Sequence, residues 1–138
     1  MLALGLIATS ISFFFTVFYI LGGLPLHLRL KYDVPNDSRF VRGFFNVHSL
    51  GLALAATAAA ACDASAGQRA VAVVMGSIAF TMFLLRQIVI ARMDRLRPIV
   101  VERDPAAIVS FRKLHVGGML VYTVALCGLT WSTTQISL

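Results

Sequence analysis

Charge is scarce in this 138-residue sequence: 13% of its residues are Asp, Glu, Lys or Arg, against about 25% in a typical soluble domain. Only six are acidic, and none falls inside a long apolar run, which leaves no carboxylate pair for acid–base chemistry in an apolar interior. The two cysteines, Cys62 and Cys127, are too few for a disulfide framework or a zinc site. No phosphate-binding glycine loop, nucleophile elbow or zinc-protease motif occurs. No catalytic residue is therefore singled out, and the balance leans away from an enzyme.

What the chain has in abundance is apolar length. Hydrophobic residues make up 59% of it and the mean hydropathy is +0.85. A bilayer core about 30 Å thick needs roughly 20 apolar residues in a helix. Four stretches meet or approach that, at about 2–26, 44–62, 70–91 and 114–131. In lipid each must be helical, because nothing else satisfies its backbone groups. The expected fold is a single all-α domain over residues 1–138, a four-transmembrane-helix bundle. The first stretch lacks a basic leader and carries its positive charge behind it, so it reads as a retained helix and not a signal peptide.

The net charge of +6 is distributed unevenly. Four cations (Arg29, Lys31, Arg39, Arg42) follow the first span, and six (Arg92, Arg95, Arg97, Arg103, Arg112, Lys113) lie between the third and fourth. The link from Asp63 to Arg69 has one. By the positive-inside rule both basic connections are cytoplasmic and both termini outside, the expected setting being a bacterial inner membrane. Cations gathered, all but Arg86, in short connections between apolar runs argue for lipid partners and against nucleic acid.

Within the spans, the second is built largely of small residues from Leu50 to Cys62, which let helix backbones approach closely. It is the expected centre of the bundle or of a self-association or subunit interface. Phe13, Phe14, Phe15, Phe18 and Tyr19 form a bulky band on the first span, expected to face lipid, a partner or a bound apolar ligand. Gly22, Gly23 and Pro25 predict a break or loosened turn near that span's end. Asp104-Pro105 reads as a turn or cap before a helical lead-in to Phe111.

Displacing the chain by 67 residues brings Phe44, His48 and Gly51 onto Phe111, His115 and Gly118 without a gap. Such a repeat would make two parallel helical hairpins. It sets His48 and His115 at equal depth, where the imidazoles either settle at the wet edge of the membrane or ligate a haem iron or another metal. Arg86, one turn inside the third span, either snorkels to the headgroups or turns inward to join Asn46, His48 and His115 in a polar cluster. That cluster would suit an anionic headgroup or a carboxylate.

The second span opens Arg39-Phe-Val-Arg42-Gly43-Phe-Phe-Asn46-Val-His-Ser49. This resembles the membrane-associated proteins in eicosanoid and glutathione metabolism, whose second helix begins Arg-x-x-Arg-Ala-x-x-Asn-x-x-Glu. The resemblance implies four helices and glutathione held by Arg39, Arg42 and Asn46, with Arg86 or Arg92 as the thiol-activating arginine. Ser49 stands at the glutamate position. Phe111-Arg-Lys-Leu-His115 resembles a second, uncharacterised family of small four-helix membrane proteins, which implies a fold and no activity.

Three expectations follow. The first is a non-enzymatic binding or assembly module, a subunit of a homo-oligomer or larger membrane complex. In it Arg39, Arg42, Asn46 and Arg86 hold a lipid headgroup or cofactor. The second is a glutathione-dependent transferase or peroxidase. The third is a haem protein using His48 and His115.

Overall fold

The computed structural model describes residues 1–29 and 35–135. These form four long helices: α1 (Leu2–Arg29), α2 (Pro35–Ser65), α3 (Arg69–Val101) and α4 (Pro105–Gln135). Among the described residues there is no strand. Lys31, counted above with the first basic connection, lies outside the described residues.

The helices extend well past the apolar stretches. At 1.5 Å per residue, the 28 to 33 residues of each give roughly 42–50 Å, more than the apolar thickness of a bilayer. Most of the expected basic connections are accordingly helix. Arg39 and Arg42 stand on α2, Arg92, Arg95 and Arg97 on α3, and Arg112 and Lys113 on α4. Glu102–Asp104 alone joins α3 to α4, with Arg103 at a positive φ of 62°. The Asp104 carboxylate accepts from Ala106 N–H at 3.0 Å, and Pro105 takes the first helical position, where its missing N–H costs nothing. The expected cap is there.

At the opposite end α2 stops in a Schellman turn. Gln68 N–H donates to Asp63 C=O and Gly67 N–H to Ala64 C=O, with Gly67 at φ 80°, a conformation that favours glycine. α2 thus runs on to Ser65, and Asp63 belongs to the helix and not to the link.

α1 is also longer than expected. It continues through Gly22, Gly23 and Pro25 to Arg29 without a break. Pro25 forfeits one backbone bond, and the flanking turns keep theirs. The glycines serve close packing instead: a Cβ on Gly22 would lie 3.1 Å from the Phe44 ring, and one on Gly23 would lie 3.5 Å from His115 Nε2.

The helices run alternately up and down in chain order. α2 packs most extensively on α3 and then on α1, α4 closes the ring against α3 and α1, and α1 and α3 do not touch among the described residues. Buried positions recur at alternating steps of three and four, as at Phe111, His115, Gly118, Tyr122, Ala125, Leu129 and Ser132 on α4. That spacing keeps one stripe of each helix facing the axis. On α2 the stripe includes Ala53, Ala56 and Ala59, small residues that let neighbouring helix backbones come close.

The surface is far more apolar than that of a water-soluble bundle, and the mostly apolar core also holds several polar side chains. Thr9, Ser12, Thr16, Ser49, Asp63 and Ser132 are fully buried, whereas Phe14, Leu21, Leu54, Val73, Phe80, Leu120 and Val124 are exposed. Ser12, Thr16 and Ser49 satisfy their hydroxyls on the carbonyl four residues back. All four helices are long and apolar enough to cross a membrane.

Candidate functional site

The polar residues near the arginine-rich end form two separate groups, and not the one cluster expected of Arg86, Asn46, His48 and His115. The first group lies on the α2–α3 seam. Arg42 Nε donates to Asp94 Oδ1 at 3.0 Å and Nη2 to Oδ2 at 2.9 Å, a two-pronged pair that fixes the planes of both groups. Both partners stand beyond the apolar stretches 44–62 and 70–91. The guanidinium holds the Asp94 carboxyl below its ordinary value, and the same bond raises Arg42. One turn deeper, Arg86 Nε donates to Asn46 Oδ1 at 2.9 Å. Asn46 follows Arg42 by four residues, as Asp94 follows Arg86 by eight, so the two contacts stack along one seam. Arg39 precedes Arg42 by three residues on the same side of α2 and is exposed.

The second group lies among α1, α2 and α4 and is built of rings. Tyr19 is fully buried and stacks on Tyr122 with centroids 4.0 Å apart. His48 packs against Phe44 at 4.2 Å, Phe18 at 5.5 Å and Tyr19 at 5.7 Å. Its Nδ1 lies 2.8 Å from Phe44 C=O; as donor there, it leaves Nε2 as the free nitrogen. His115 meets Tyr19 at 6.4 Å and His27 at 5.9 Å. His48 and His115 therefore share one neighbour, Tyr19, at a similar level of the bundle. For a haem to take both as axial ligands, a flat macrocycle would have to enter this nest of rings. Tyr19 is packed there by Phe44, Phe45 and Tyr122 together. The arrangement as it stands does not fit that group.

The aromatic band of α1 divides between two environments. Phe13, Phe14 and Phe18 are exposed, Phe15 is half-buried against His48, and Tyr19 is in the core. Gln87 is exposed beside the half-buried Arg86. Cys62 and Cys127 are free thiols on the far half of the bundle.

Asp63 escapes a reading by hydropathy. Both its carboxylate oxygens are buried without a hydrogen-bond partner, and a Cβ on Gly5 of α1 would collide with Oδ1. A signal was present in the sequence: Leu52, Ala56, Ala59 and Asp63 continue the same three-and-four spacing. Composition ends the span at Cys62, whereas periodicity carries it one turn further.

The chain matches no family model, no curated protein and no solved structure. Its geometry is that of a bundle of four apolar helices braced across α2–α3 by an ion pair and an amide–guanidinium bond.

Proposed function

We propose that this chain is an integral protein of a bacterial inner membrane, with the arginine-rich end in the cytoplasm and both termini outside. It acts there as a non-enzymatic binding or assembly module, associating with itself or with other membrane subunits. The observation that carries the reading is the apolar surface: large side chains such as Phe14, Leu54, Phe80 and Val124 stand exposed around the bundle. An exposed apolar surface of this extent is costly in water and neutral in lipid. The crowding of cations at one end supports the orientation.

The same reading gives the α2–α3 polar seam a mainly mechanical role. Arg42 and Arg86 are engaged by Asp94 and Asn46, and their remaining N–H donors are available to an anionic headgroup. The test has three parts. Alkaline carbonate is expected to leave the chain in the membrane pellet. A cysteine introduced at Arg103, with Cys62 and Cys127 replaced by alanine, is expected to resist an impermeant thiol reagent in intact cells. The purified protein is expected to run as more than one chain in mild detergent. Extraction by carbonate overturns the membrane reading, labelling of the Arg103→Cys variant overturns the orientation, and a lone monomer overturns the assembly role.

One contact favours a second reading. Arg86 on α3 reaches Asn46 on α2, which brings together the residues that a glutathione site of the resembled type would use. Isothermal titration decides it. Heat on adding glutathione that disappears in Asn46→Ala supports a glutathione-dependent enzyme, and a flat titration removes it.

A further inference from the structure

The α3–α4 seam carries two cavities in line. The first, of about 420 Å³, lies at the arginine-rich end and is lined by Arg92, Arg95, Leu96, Ser110, Lys113 and Leu114. The second, of about 280 Å³, lies deeper, with Val74 and Thr81 on one wall and Val121, Val124 and Gly128 on the other. At 3.6 residues per turn both linings fall on one face of α3 and one face of α4. Between them in sequence on α4, Gly117 lines a separate cavity with His27 and Val116. The first two cavities thus lie in line along the furrow between α3 and α4. From Lys113 to Val124 it runs roughly 16 Å along the helix.

We propose that this furrow binds one anionic glycerophospholipid. Its phosphodiester sits among Arg92, Arg95 and Lys113, and one acyl chain lies along the α3–α4 seam toward Gly128. The proposal rests on the membrane reading above.

Charge selects the occupant. Three cations line the first cavity and no acid does. The nearest acid in sequence, Asp94, points to α2 and is engaged by Arg42. None of Arg92, Arg95 and Lys113 takes part in an ion pair among the described residues. Like charges held together repel, and an anion set among them relieves that repulsion. Ser110 adds a hydroxyl donor. The apolar continuation excludes a free anion as the full occupant, since inorganic phosphate would leave the deeper cavity empty. Basic pockets between helices at the cytoplasmic face suit phospholipid headgroups in this way.

The test uses the full chain in a mild uncharged detergent, with retained lipid measured by native mass spectrometry. Phosphatidylglycerol, phosphatidylcholine of the same acyl chains and inorganic phosphate are the three probes. Phosphatidylglycerol is expected to be held roughly tenfold or more tightly than phosphatidylcholine. The variant Arg92→Gln/Arg95→Gln/Lys113→Gln is expected to lose that preference, while Arg29→Gln/Arg103→Gln keeps it. Val124→Trp fills the deeper cavity from its exposed side and is expected to weaken the long-chain lipid but not a dihexanoyl analogue.

Equal retention of the two lipids by the unaltered protein overturns the proposal without recourse to any variant. So does a preference that survives the triple substitution or vanishes equally in the Arg29/Arg103 control, or displacement of the lipid by equimolar inorganic phosphate. A chain that carbonate strips from the membrane overturns both this proposal and the membrane reading. A chain that stays in the membrane with no lipid preference overturns this one alone.

Discussion

Arg42 holds Asp94 through two parallel hydrogen bonds of 3.0 and 2.9 Å, joining α2 to α3 at the end where the cations collect. The pair uses the one acid on the arginine-rich stretch of α3 between Arg86 and Arg97. It thereby leaves Arg92 and Arg95 to face α4.

Because both partners are a third or more exposed, the pair is worth little: Arg42→Ala is expected to cost about 0.2–1 kcal/mol, less at high salt. Its pH dependence has a definite sign. Asp94 titrates lower folded than unfolded, so its contribution is complete above the unfolded carboxyl pKa and fades as pH falls through the folded one. Thermal melts in detergent from neutral to acid pH should show this loss, and Asp94→Asn should remove it. An unchanged acid limb in Asp94→Asn would show that the pair contributes nothing.

Deeper on the seam, Asn46→Ala leaves the half-buried Arg86 Nε without its acceptor and is expected to cost about 1–3 kcal/mol. Asn46→Ala/Arg86→Met removes donor and acceptor together and should recover most of that loss. If the double variant is as unstable as the sum of the singles, the bond is not what holds the two positions together.

Gly5 and Asp63 are coupled by space. Gly5→Ala pushes a methyl into the Asp63 carboxylate and is expected to destabilise the bundle by about 1–3 kcal/mol. Asp63→Ala alone should be neutral or stabilising, since it removes a carboxylate buried without hydrogen-bond partners. In the Asp63→Ala background, Gly5→Ala should then cost little. Two strictly additive penalties would place the carboxylate away from Gly5.

The ring nest offers a spectroscopic check. With Tyr19 packed against both His48 and His115, the purified protein is expected to show no Soret absorption. A Soret band abolished by His115→Ala would mean that Tyr19 moves aside and that the imidazoles ligate haem.

Much of the architecture was legible in the residues. Four apolar runs of helical length, separated by Arg- and Lys-bearing stretches, leave the backbone no alternative to four helices wherever water is excluded. Asp104-Pro105 announced its own cap, because the carboxylate acceptor and the missing N–H are local properties. Helix ends were less legible. Hydropathy marks where a chain stops being greasy, and Arg39, Asp63, Arg97 and Arg112 all continue helices past that point.

The sequence by itself determined the number of helices, the crowding of cations toward one end and the small-residue face of α2, since each depends on composition and on spacing along the chain. Tertiary structure alone decided which polar groups meet. A step of 100° per residue sends Asn46 toward Arg86 and His48 toward Tyr19, although only Val47 stands between them in the chain. The partners waiting on those two sides belong to different helices, and no linear pattern states which helix stands where.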